Sequence, residues 1–360
     1  LLCLVSALPV AAQERERPAV EFYDVWSEPN PGIRYLRRVT TAPCTIHVLE
    51  IDLRHDGVDV RVSGRDERWQ TVGEHARTQG AAVAVNGGFW ETFAQPAGLH
   101  VTDDEPWEDT ADNYVFGFLG FGRNGRAFIS PPEEVLDPVT DRILQGTSGR
   151  PRLVRDGEVD TASLDPVATA NMRQPRTAAA VSRTGNTLWL LVTDGRQEHS
   201  VGLTMYELAR TLAELGAHRA LNLDGGGSST LFVERLGGVM NAPSGSRWEE
   251  QLGFGVRREE GEVRRSRRTK SGREMVYVRG VEREVMNAIT ITAPSMEGLL
   301  APMRAPLDAP LHLPEVVTLP PRQSWLHAGR IREWARPAAF GLGGLLLFAF
   351  GRKMRRKFHS

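Results

Sequence analysis

The chain has 360 residues, a formal net charge of −1, 41% hydrophobic residues and 25% charged residues. These proportions are ordinary for a globular protein, and the length allows two average domains or one large domain with appendages. A nearly neutral chain has no global field that would recruit nucleic acid, so we expect no nucleic-acid partner.

The first twelve residues form an apolar stretch that ends in Val10-Ala11-Ala12, directly before the charged segment 13–17. This pattern is typical of the hydrophobic region and cleavage site of a secretory signal peptide. A buried N-terminal strand is the alternative. A chain cleaved there keeps Cys44 alone, which excludes an internal disulfide and a cysteine-based metal site.

The other end of the chain carries an uncharged run, residues 338–351, followed by a basic tail over 352–360. The run is shorter than the roughly 20 apolar residues that usually span a membrane. We predict a hydrophobic anchor or sorting helix over 334–351, with a buried helix as the alternative. Basic residues stay on the cytoplasmic side of membranes. Both ends therefore predict a periplasmic or cell-surface protein that contacts the membrane through its C-terminal helix.

Between these ends the hydrophobic pattern first predicts β-structure. Residues 45–53 alternate apolar and polar side chains, and residues 58–62 follow after the turn signal Asp56-Gly57, which predicts a β-hairpin. A short helix is expected over 72–79. A buried strand over 81–85 then leads into Asn86.

Later segments repeat the strand pattern. Turn signals at 123–125 and 184–186 each separate two apolar runs and predict two further hairpins. Thr204 and Glu207 have the spacing of a capping box and predict the start of a helix over 205–215. The predicted strands in this part of the chain are 115–121, 127–129, 176–182, 188–193, 221–224, 230–234 and 252–257.

These elements predict an α+β fold, with a mixed, largely antiparallel β-sheet and a few packed helices. A C-terminal extension and a short hydrophobic helix complete the chain. The expected organisation is a signal peptide remnant (1–12), an N-terminal segment (13–43), the α+β domain (44–257), a charged and then proline-rich extension or linker (258–333), the hydrophobic helix (334–351) and the basic tail (352–360).

The most informative segment is the bend at the end of the strand 221–224. Asp224 is followed by three glycines and three hydroxyl residues, Gly225-Gly226-Gly227-Ser228-Ser229-Thr230. Glycines let the backbone approach a ligand closely, and successive N–H groups form a concavity that suits phosphate or sugar oxygens. The segment lacks the lysine of a P-loop and the Gly-x-Ser-x-Gly pattern of a nucleophile elbow.

Polar residues also follow other predicted strands, which predicts a shared pocket if these strands end at one edge. Its carboxylates would act as general base or carbocation stabiliser, and its guanidinium groups would bind phosphate. The candidate residues are Asn86, Gly87, Gly88, Arg176, Thr177, Asp194, Arg196, Asn222, Asp224, Gly225, Gly226, Gly227, Ser228 and Ser229.

Several motifs occur in an order that resembles the phosphodiester glycosidase domain family, whose bacterial members are often associated with exopolysaccharides. They are Asn86-Gly-Gly-Phe-Trp90, Arg176-Thr-Ala, Thr193-Asp-Gly-Arg196, Gly202-Leu-Thr-Met-Tyr-Glu-Leu-Ala209 and Leu221-Asn-Leu-Asp-Gly-Gly-Gly-Ser-Ser-Thr230. The resemblance covers residues 44–257. It departs from the family at Trp90 and Glu91, so Glu91 receives no catalytic role.

The resemblance implies an extracytoplasmic hydrolase that removes a sugar from a sugar-1-phosphodiester and leaves a phosphomonoester. Asp224 is favoured over Asp194 as the carboxylate that activates water or stabilises the oxocarbenium-like centre, while Arg176 and Arg196 neutralise the phosphate. Each acid could instead cap its own turn, and Glu207 is expected to cap its helix. A non-catalytic glycan-binding envelope protein with the same pocket is the alternative function.

A cofactor is not established by the sequence. The segment 102–106 carries Asp103, Asp104 and Glu105, and carboxylate oxygens suit Ca²⁺ or Mg²⁺. Their spacing matches no recognised metal-binding loop, which favours a solvated acidic turn. His199 follows Arg196 closely enough to line the pocket, although a surface position is favoured.

Overall fold

The computed structural model describes residues 22–91, 95–110, 115–131, 143–248, 264–268 and 274–295. These residues belong to one compact unit, Leu1–Ala301, and the second unit, Pro302–Ser360, lies outside the described residues. The predicted signal peptide, C-terminal helix, basic tail and strand 252–257 also lie outside them. Within the described ranges, no helix has both the length and the apolar character needed to cross a membrane.

The described residues form twenty-one strands and three α-helices. In chain order, the strands are β1 (Phe22–Asn30), β2 (Ile33–Thr40), β3 (Cys44–Asp52), β4 (Asp59–Val62), β5 (Val83–Asn86), β6 (Val101–Thr102), β7 (Glu105–Pro106), β8 (Gly117–Gly122), β9 (Ala127–Ser130), β10 (Ile143–Gly149), β11 (Arg152–Arg155), β12 (Glu158–Val159), β13 (Arg176–Val181), β14 (Thr187–Thr193), β15 (Arg219–Asn222), β16 (Leu231–Val233), β17 (Gly238–Val239), β18 (Ser244–Trp248), β19 (Arg264–Arg268), β20 (Glu274–Arg279) and β21 (Ala288–Thr292). The helices are α1 (Val72–Gln79), α2 (Thr161–Leu164) and α3 (Met205–Glu214).

The strands pair in four sheets rather than in the single sheet expected from the sequence. The largest has the order β1-β2-β3-β14-β13-β15-β11-β12, and two five-stranded sheets have the orders β17-β16-β5-β21-β4 and β7-β6-β10-β8-β9. A small sheet has the order β18-β20-β19. All of these strand pairs are antiparallel, so the prediction of largely antiparallel β-structure with few helices is confirmed.

Side chains alternate across the eight-stranded sheet and separate two apolar cores. Ala179 and Val181 of β13 face the core shared with both five-stranded sheets, whereas Ala178 and Ala180 face the core that includes α3. The amphipathic α3 begins at a capping box, in which Thr204 Oγ1 accepts from the Glu207 N–H and Glu207 Oε2 accepts from the Thr204 N–H. Helix α1 packs on the other face of the β5-containing sheet.

The predicted hairpin around Asp56-Gly57 is wrong, although both of its strands form. β3 pairs with β2 and β14, and β4 pairs with β21 in a different sheet. The turn therefore passes from one layer to the next, because both faces of β3 are buried and its two edges are already paired. The other two predicted hairpins are confirmed as β8–β9 and β13–β14.

Segments on both sides of residues 44–257 contribute strands to these sheets. β1 and β2 extend the large sheet beside β3. β21, in the range expected to be an extension, lies between β4 and β5, and its Ile289 and Ile291 are fully buried. The region that positions the glycine bend thus reaches beyond residue 257.

Candidate functional site

The triple-glycine bend begins where β15 ends and is fixed from two directions. The Leu223 N–H donates to Thr177 O at 2.9 Å, and the Asp224 N–H donates to Gly87 O at 3.1 Å. Gly226 has a φ of 63°, a conformation that side chains rarely adopt, and it starts a 3-10 turn over Gly226–Ser228. The bend therefore holds Asp224 between the ends of β5 and β13.

The Asp224 carboxylate is held by a hydroxyl and a guanidinium group. Ser228 Oγ donates to Asp224 Oδ2, Arg283 Nη2 donates to the same oxygen at 3.1 Å, and Arg283 Nη2 also contacts Ser228 Oγ. Burial raises the pKa of Asp224 above its ordinary value, although Arg283, Ser228 and the Gly225 N–H act in the opposite direction. The site thus contains a largely buried carboxylate paired with one cation.

Asn86 at the end of β5 connects three parts of the predicted pocket. Its Nδ2 donates to Asp224 O at 2.6 Å, and its Oδ1 accepts from Thr177 Oγ1 at 2.8 Å and from the Thr230 N–H at 3.2 Å. Asn86 and Thr177 are fully buried. The structure therefore brings these predicted residues together, but as a buried support beneath the bend rather than as exposed ligands.

Gly87 and Gly88 lie against a buried polar cluster that sequence reasoning missed. Asn287 accepts from the Gly88 N–H at 2.8 Å and donates to His100 Nδ1 at 3.0 Å and Thr147 Oγ1 at 3.1 Å. Burial lowers the pKa of His100 to about 4, so this imidazole is neutral at physiological pH. A Cβ on Gly87 would come within 2.2 Å of Asn287 Oδ1, which requires glycine there.

Arg176 begins β13 beside the bend, but its guanidinium contacts backbone oxygens, and its predicted role toward phosphate stays a prediction. Its guanidinium donates to three backbone oxygens, Leu203 O at 3.3 Å, Thr169 O at 3.0 Å and Met172 O at 2.8 Å. Burial, and to a smaller extent the charge of Arg196, lowers the pKa of Arg176 to about 10. Arg176 is therefore engaged in holding the loop that precedes β13.

Arg196 lies at the exposed edge of the bend. Its Nε donates to Gln174 Oε1 at 2.7 Å, and its Nη2 lies 3.1 Å from the position that a Cβ would occupy on Gly226. Arg196 itself has a φ of 61°. The absent side chain at Gly226 thus leaves room for this guanidinium against the backbone, on the solvent side of the bend.

Asp194 is buried beneath this edge and accepts two hydrogen bonds. The Ala242 N–H donates to Asp194 Oδ1 at 2.8 Å and Asn241 Nδ2 at 3.2 Å, while His47 Nε2 and His199 Nε2 lie 3.7 and 3.8 Å from Oδ2. Burial alone would raise the pKa of Asp194, but His47 and the two donors outweigh it and lower the pKa below its ordinary value. Asn241 also donates to Ser229 O, which links Asp194 to the bend.

The remaining predicted residues fill the underside of the bend. Asn222 donates from Nδ2 to Arg150 O at 2.7 Å, and Ser228 and Ser229 are buried. A Cβ on Gly225 would meet Pro175 O at 3.0 Å. Ser229 Oγ is buried and makes no hydrogen bond within the part of the chain that the structure describes.

Aromatic rings form the rim next to Arg283. The guanidinium carbon of Arg283 lies 4.8 Å from the centre of the Trp90 ring, and Trp69 packs edge-on to Trp90 at 5.6 Å. Flat aromatic faces suit the apolar face of a sugar ring. Arg283 therefore joins an aromatic rim to the carboxylate.

The acidic segment after β6 is a hairpin turn. Asp103 and Asp104 both have positive φ, Asp104 pairs with Arg123, and Asp103 Oδ1 accepts from Gln145 Nε2 at 2.7 Å. Across the described ranges, no three His, Cys, Asp or Glu side chains are grouped so as to hold a metal ion.

Comparison with known proteins identifies a family and several relatives. The family model described as phosphodiester glycosidase matches residues 79–257. The chain is 30% identical over 184 residues to N-acetylglucosamine-1-phosphodiester alpha-N-acetylglucosaminidase of Mus musculus and 31% identical over 183 residues to that of Homo sapiens. Each alignment covers 46% of this chain and 34% of the relative, so the chain spans about a third of their length.

Two further proteins are similar to the chain. SPbeta prophage-derived uncharacterized protein YomE of Bacillus subtilis (strain 168) is 29% identical over 174 residues, which are 46% of this chain and 26% of that protein. The catalytic domain of the zebrafish N-acetylglucosamine-1-phosphodiester alpha-N-acetylglucosaminidase has the same fold, with a TM-score of 0.52 and 20% identity over 79% of this chain and 87% of that one. Residues 79–257 of the chain are therefore similar to the phosphodiester glycosidase domain.

Proposed function

We propose that this protein is a phosphodiester glycosidase, which hydrolyses the bond between a sugar and the phosphate of a sugar-1-phosphodiester. The single observation that carries the proposal is the Asp224 carboxylate, held between Ser228 and Arg283 at a glycine bend whose solvent side carries Arg196. The carboxylate suits the anomeric carbon of a sugar, and the neighbouring guanidinium groups suit a phosphate, so the site fits a substrate that has both.

Asp224 is the reacting carboxylate in this proposal. Its ionised form stabilises the positive charge that develops at the anomeric carbon and accepts a proton from the attacking water. The bond between the anomeric carbon and the phosphate oxygen breaks, and its electron pair leaves with the phosphate. The products are the free sugar and a phosphomonoester. A phosphate leaves without a strong general acid, so one carboxylate is sufficient.

Arg283 and Arg196 bind the phosphate. Arg283 already contacts Asp224, so it can lie between the carboxylate and an incoming phosphate and keep the two anions apart. Arg196 lies against Gly226 at the exposed edge of the bend. We do not assign Arg176 to this role, because its Nε and Nη2 donate to backbone oxygens.

Asp194 is a positioning residue in this proposal rather than the reacting carboxylate. Its Oδ1 holds Ala242 and Asn241, and Asn241 in turn holds the bend at Ser229. The low pKa of Asp194 keeps it ionised in this role. The proposal thus separates the two predicted acids by their partners, since only Asp224 is paired with a cation at the rim.

The substrate class follows from the relatives. Those named as N-acetylglucosamine-1-phosphodiester alpha-N-acetylglucosaminidase point to N-acetylglucosamine as the sugar, and we propose a phosphodiester-linked envelope glycan or exopolysaccharide as the natural substrate. We further propose an extracytoplasmic location with a membrane contact at residues 334–351. The apolar run at residues 1–12 and the uncharged run before the basic tail support this location.

The test is product analysis on methyl N-acetylglucosamine-1-phosphodiester. The proposal expects free N-acetylglucosamine and methyl phosphate in equal amounts, with loss of both in Asp224→Asn. Asp52→Asn is a matched control, because Asp52 pairs with Arg54 on the exposed surface. Release of methanol with N-acetylglucosamine-1-phosphate would overturn the proposal in favour of a phosphodiesterase. Binding without turnover across a panel of phosphodiester glycans would favour the glycan-binding alternative.

A further inference from the structure

A groove of about 770 Å³ lies at the opposite end of the strands that carry the candidate site. β13 runs from Arg176 at the site to Val181 in the groove, and β15 runs from Arg219 in the groove to Asn222 at the site. At about 3.3 Å per residue, the five steps of β13 separate the two ends by roughly 17 Å. The groove is therefore distinct from the Asp224 pocket.

The rim of the groove is basic. It is formed by the β8–β9 turn, the β13–β14 turn and the start of β15, and its basic side chains are Arg123, Arg126, Arg183, His218 and Arg219. Of the described residues that line the groove, none is Asp or Glu. Four guanidinium groups around one concavity attract anions, because the field of like charges is concentrated there.

The four arginines differ in their contacts. Arg123 pairs with Asp104, and Arg219 Nη1 donates to Ile129 O at 2.8 Å. Arg126 and Arg183 are exposed, and neither forms an ion pair within the described part of the chain. Burial and the charge of Arg183 lower the pKa of the neighbouring His218, so guanidinium groups supply the positive charge at neutral pH.

The floor of the groove is apolar. Ala127, Ile129, Ile143 and Val181 lie beneath it as members of the hydrophobic cores, and the half-buried Phe128 ring is the least buried of the apolar side chains that line it. The polar side chains of Asn124 and Thr184 lie at the edge. A half-buried aromatic ring beside a basic rim suits a ligand with both apolar faces and several anions, such as a chain of sugars joined by phosphates.

We propose that this groove is a second binding site, for a phosphate-bearing glycan chain, with Arg126 and Arg183 as its phosphate ligands. The assignment does not depend on the hydrolytic activity, because the groove and the Asp224 pocket share no residue. A polymer held there would be retained at the protein surface independently of the bond being cleaved. This raises the local concentration of further cleavable bonds when the polymer is also the substrate.

The experiment measures binding of a fluorescent hexose oligomer joined by phosphodiesters to Asp224→Asn protein, in which turnover is removed. The double variant Arg126→Gln/Arg183→Gln should bind at least about tenfold more weakly, since two charged hydrogen bonds are lost. The affinity of this double variant should also depend less steeply on salt concentration, because fewer counterions are released on binding. Arg210→Gln/Arg235→Gln removes the same charge from two exposed arginines outside the groove and should bind normally.

Three results would overturn the proposal. An equal loss in the two double variants would assign the binding to overall charge. Equal or tighter binding of a single-stranded oligonucleotide with the same number of phosphates would exclude a glycan-specific groove. Unchanged affinity in the Arg126→Gln/Arg183→Gln protein would place the ligand elsewhere. Folding of each variant is checked by thermal unfolding, and loss of hydrolysis in the enzyme assay alone leaves the binding result unaffected.

Discussion

Arg283 Nη2 donates a hydrogen bond to Asp224 Oδ2 at 3.1 Å, although the two residues lie 59 positions apart in the chain. The contact sets the charge balance of the candidate site. Burial disfavours the ionised carboxylate, and Arg283 is the main group that opposes this effect. The ionisation of Asp224 therefore depends on a residue outside the segment 79–257.

Replacing Arg283 tests this relationship through pH. The acidic limb of the pH–activity profile reports ionisation of Asp224, so activity rises as pH increases through its elevated pKa. Arg283→Gln removes the cation that opposes burial, and the limb should move to higher pH. We also expect kcat/KM at neutral pH to fall about 10- to 100-fold with the lost phosphate contact. Arg54→Gln, in the exposed pair with Asp52, is the control and should leave the profile unchanged.

Replacing Asp224 tests its chemical role. Asp224→Asn keeps the shape of the side chain and can still accept from Ser228, but it cannot take a proton from water. We expect kcat to fall by about 10³-fold or more with little change in substrate affinity. Rates of product formation and equilibrium binding of a phosphodiester analogue are the two measurements. Residual activity above one tenth of the unmodified protein would assign the reaction to another group.

Replacing Arg176 should lower stability, whereas replacing Arg196 should weaken substrate binding. Arg176→Met leaves three buried carbonyl oxygens without their donor and should lower the free energy of unfolding by about 1.5–3 kcal/mol. Arg196→Gln should raise KM with little effect on stability, because Arg196 is exposed. Urea unfolding and steady-state kinetics on both variants distinguish the roles, and a stable Arg176→Met protein with a raised KM would instead assign Arg176 to phosphate binding.

Asp194 should contribute stability that depends on pH. Its folded-state pKa is lowered, so its contribution is fully present above the unfolded value of about 3.9 and is lost as pH falls through the folded value. Asp194→Asn should therefore destabilise the protein by about 1.5–3 kcal/mol at neutral pH. The difference from the unmodified protein should shrink in strong acid. Denaturant unfolding over a pH series measures it, and a constant difference at every pH would contradict the assignment.

The convergence of Asn86, Thr177 and Asp224 could be predicted because each follows or begins a strongly apolar strand. The direction of Arg176 could not be predicted from residue type alone. Neighbouring side chains in a strand point to opposite faces. Thr177 faces Asn86, so Arg176 faces the layer that contains Leu203. The sequence pattern located the strand, but only the pairing with Asn86 shows which face meets the bend.

The contact of Arg283 with Asp224 could not be predicted from the sequence, for a different reason. Arg283 lies in an arginine-rich stretch whose composition resembles a solvated spacer, and no local periodicity reports a contact with Asp224. The missing signal was the strand at Ala288–Thr292, a short alternation of apolar residues that fills the space between β4 and β5. The pairing of strands that lie far apart in the chain depends on the complete sheet, so a short segment of sequence does not predict it.

Because β21 lies between β4 and β5, the segment that carries it supports both the sheet and the candidate site. A chain shortened to residue 257 would leave β4 and β5 with open edges where Ile289 and Ile291 now fill the interior. The same cut would remove Asn287 from beneath Gly88 and Arg283 from beside the Asp224 carboxylate. A fragment that keeps the candidate site intact must therefore extend at least through Thr292, past residue 257, where the match to the family model ends.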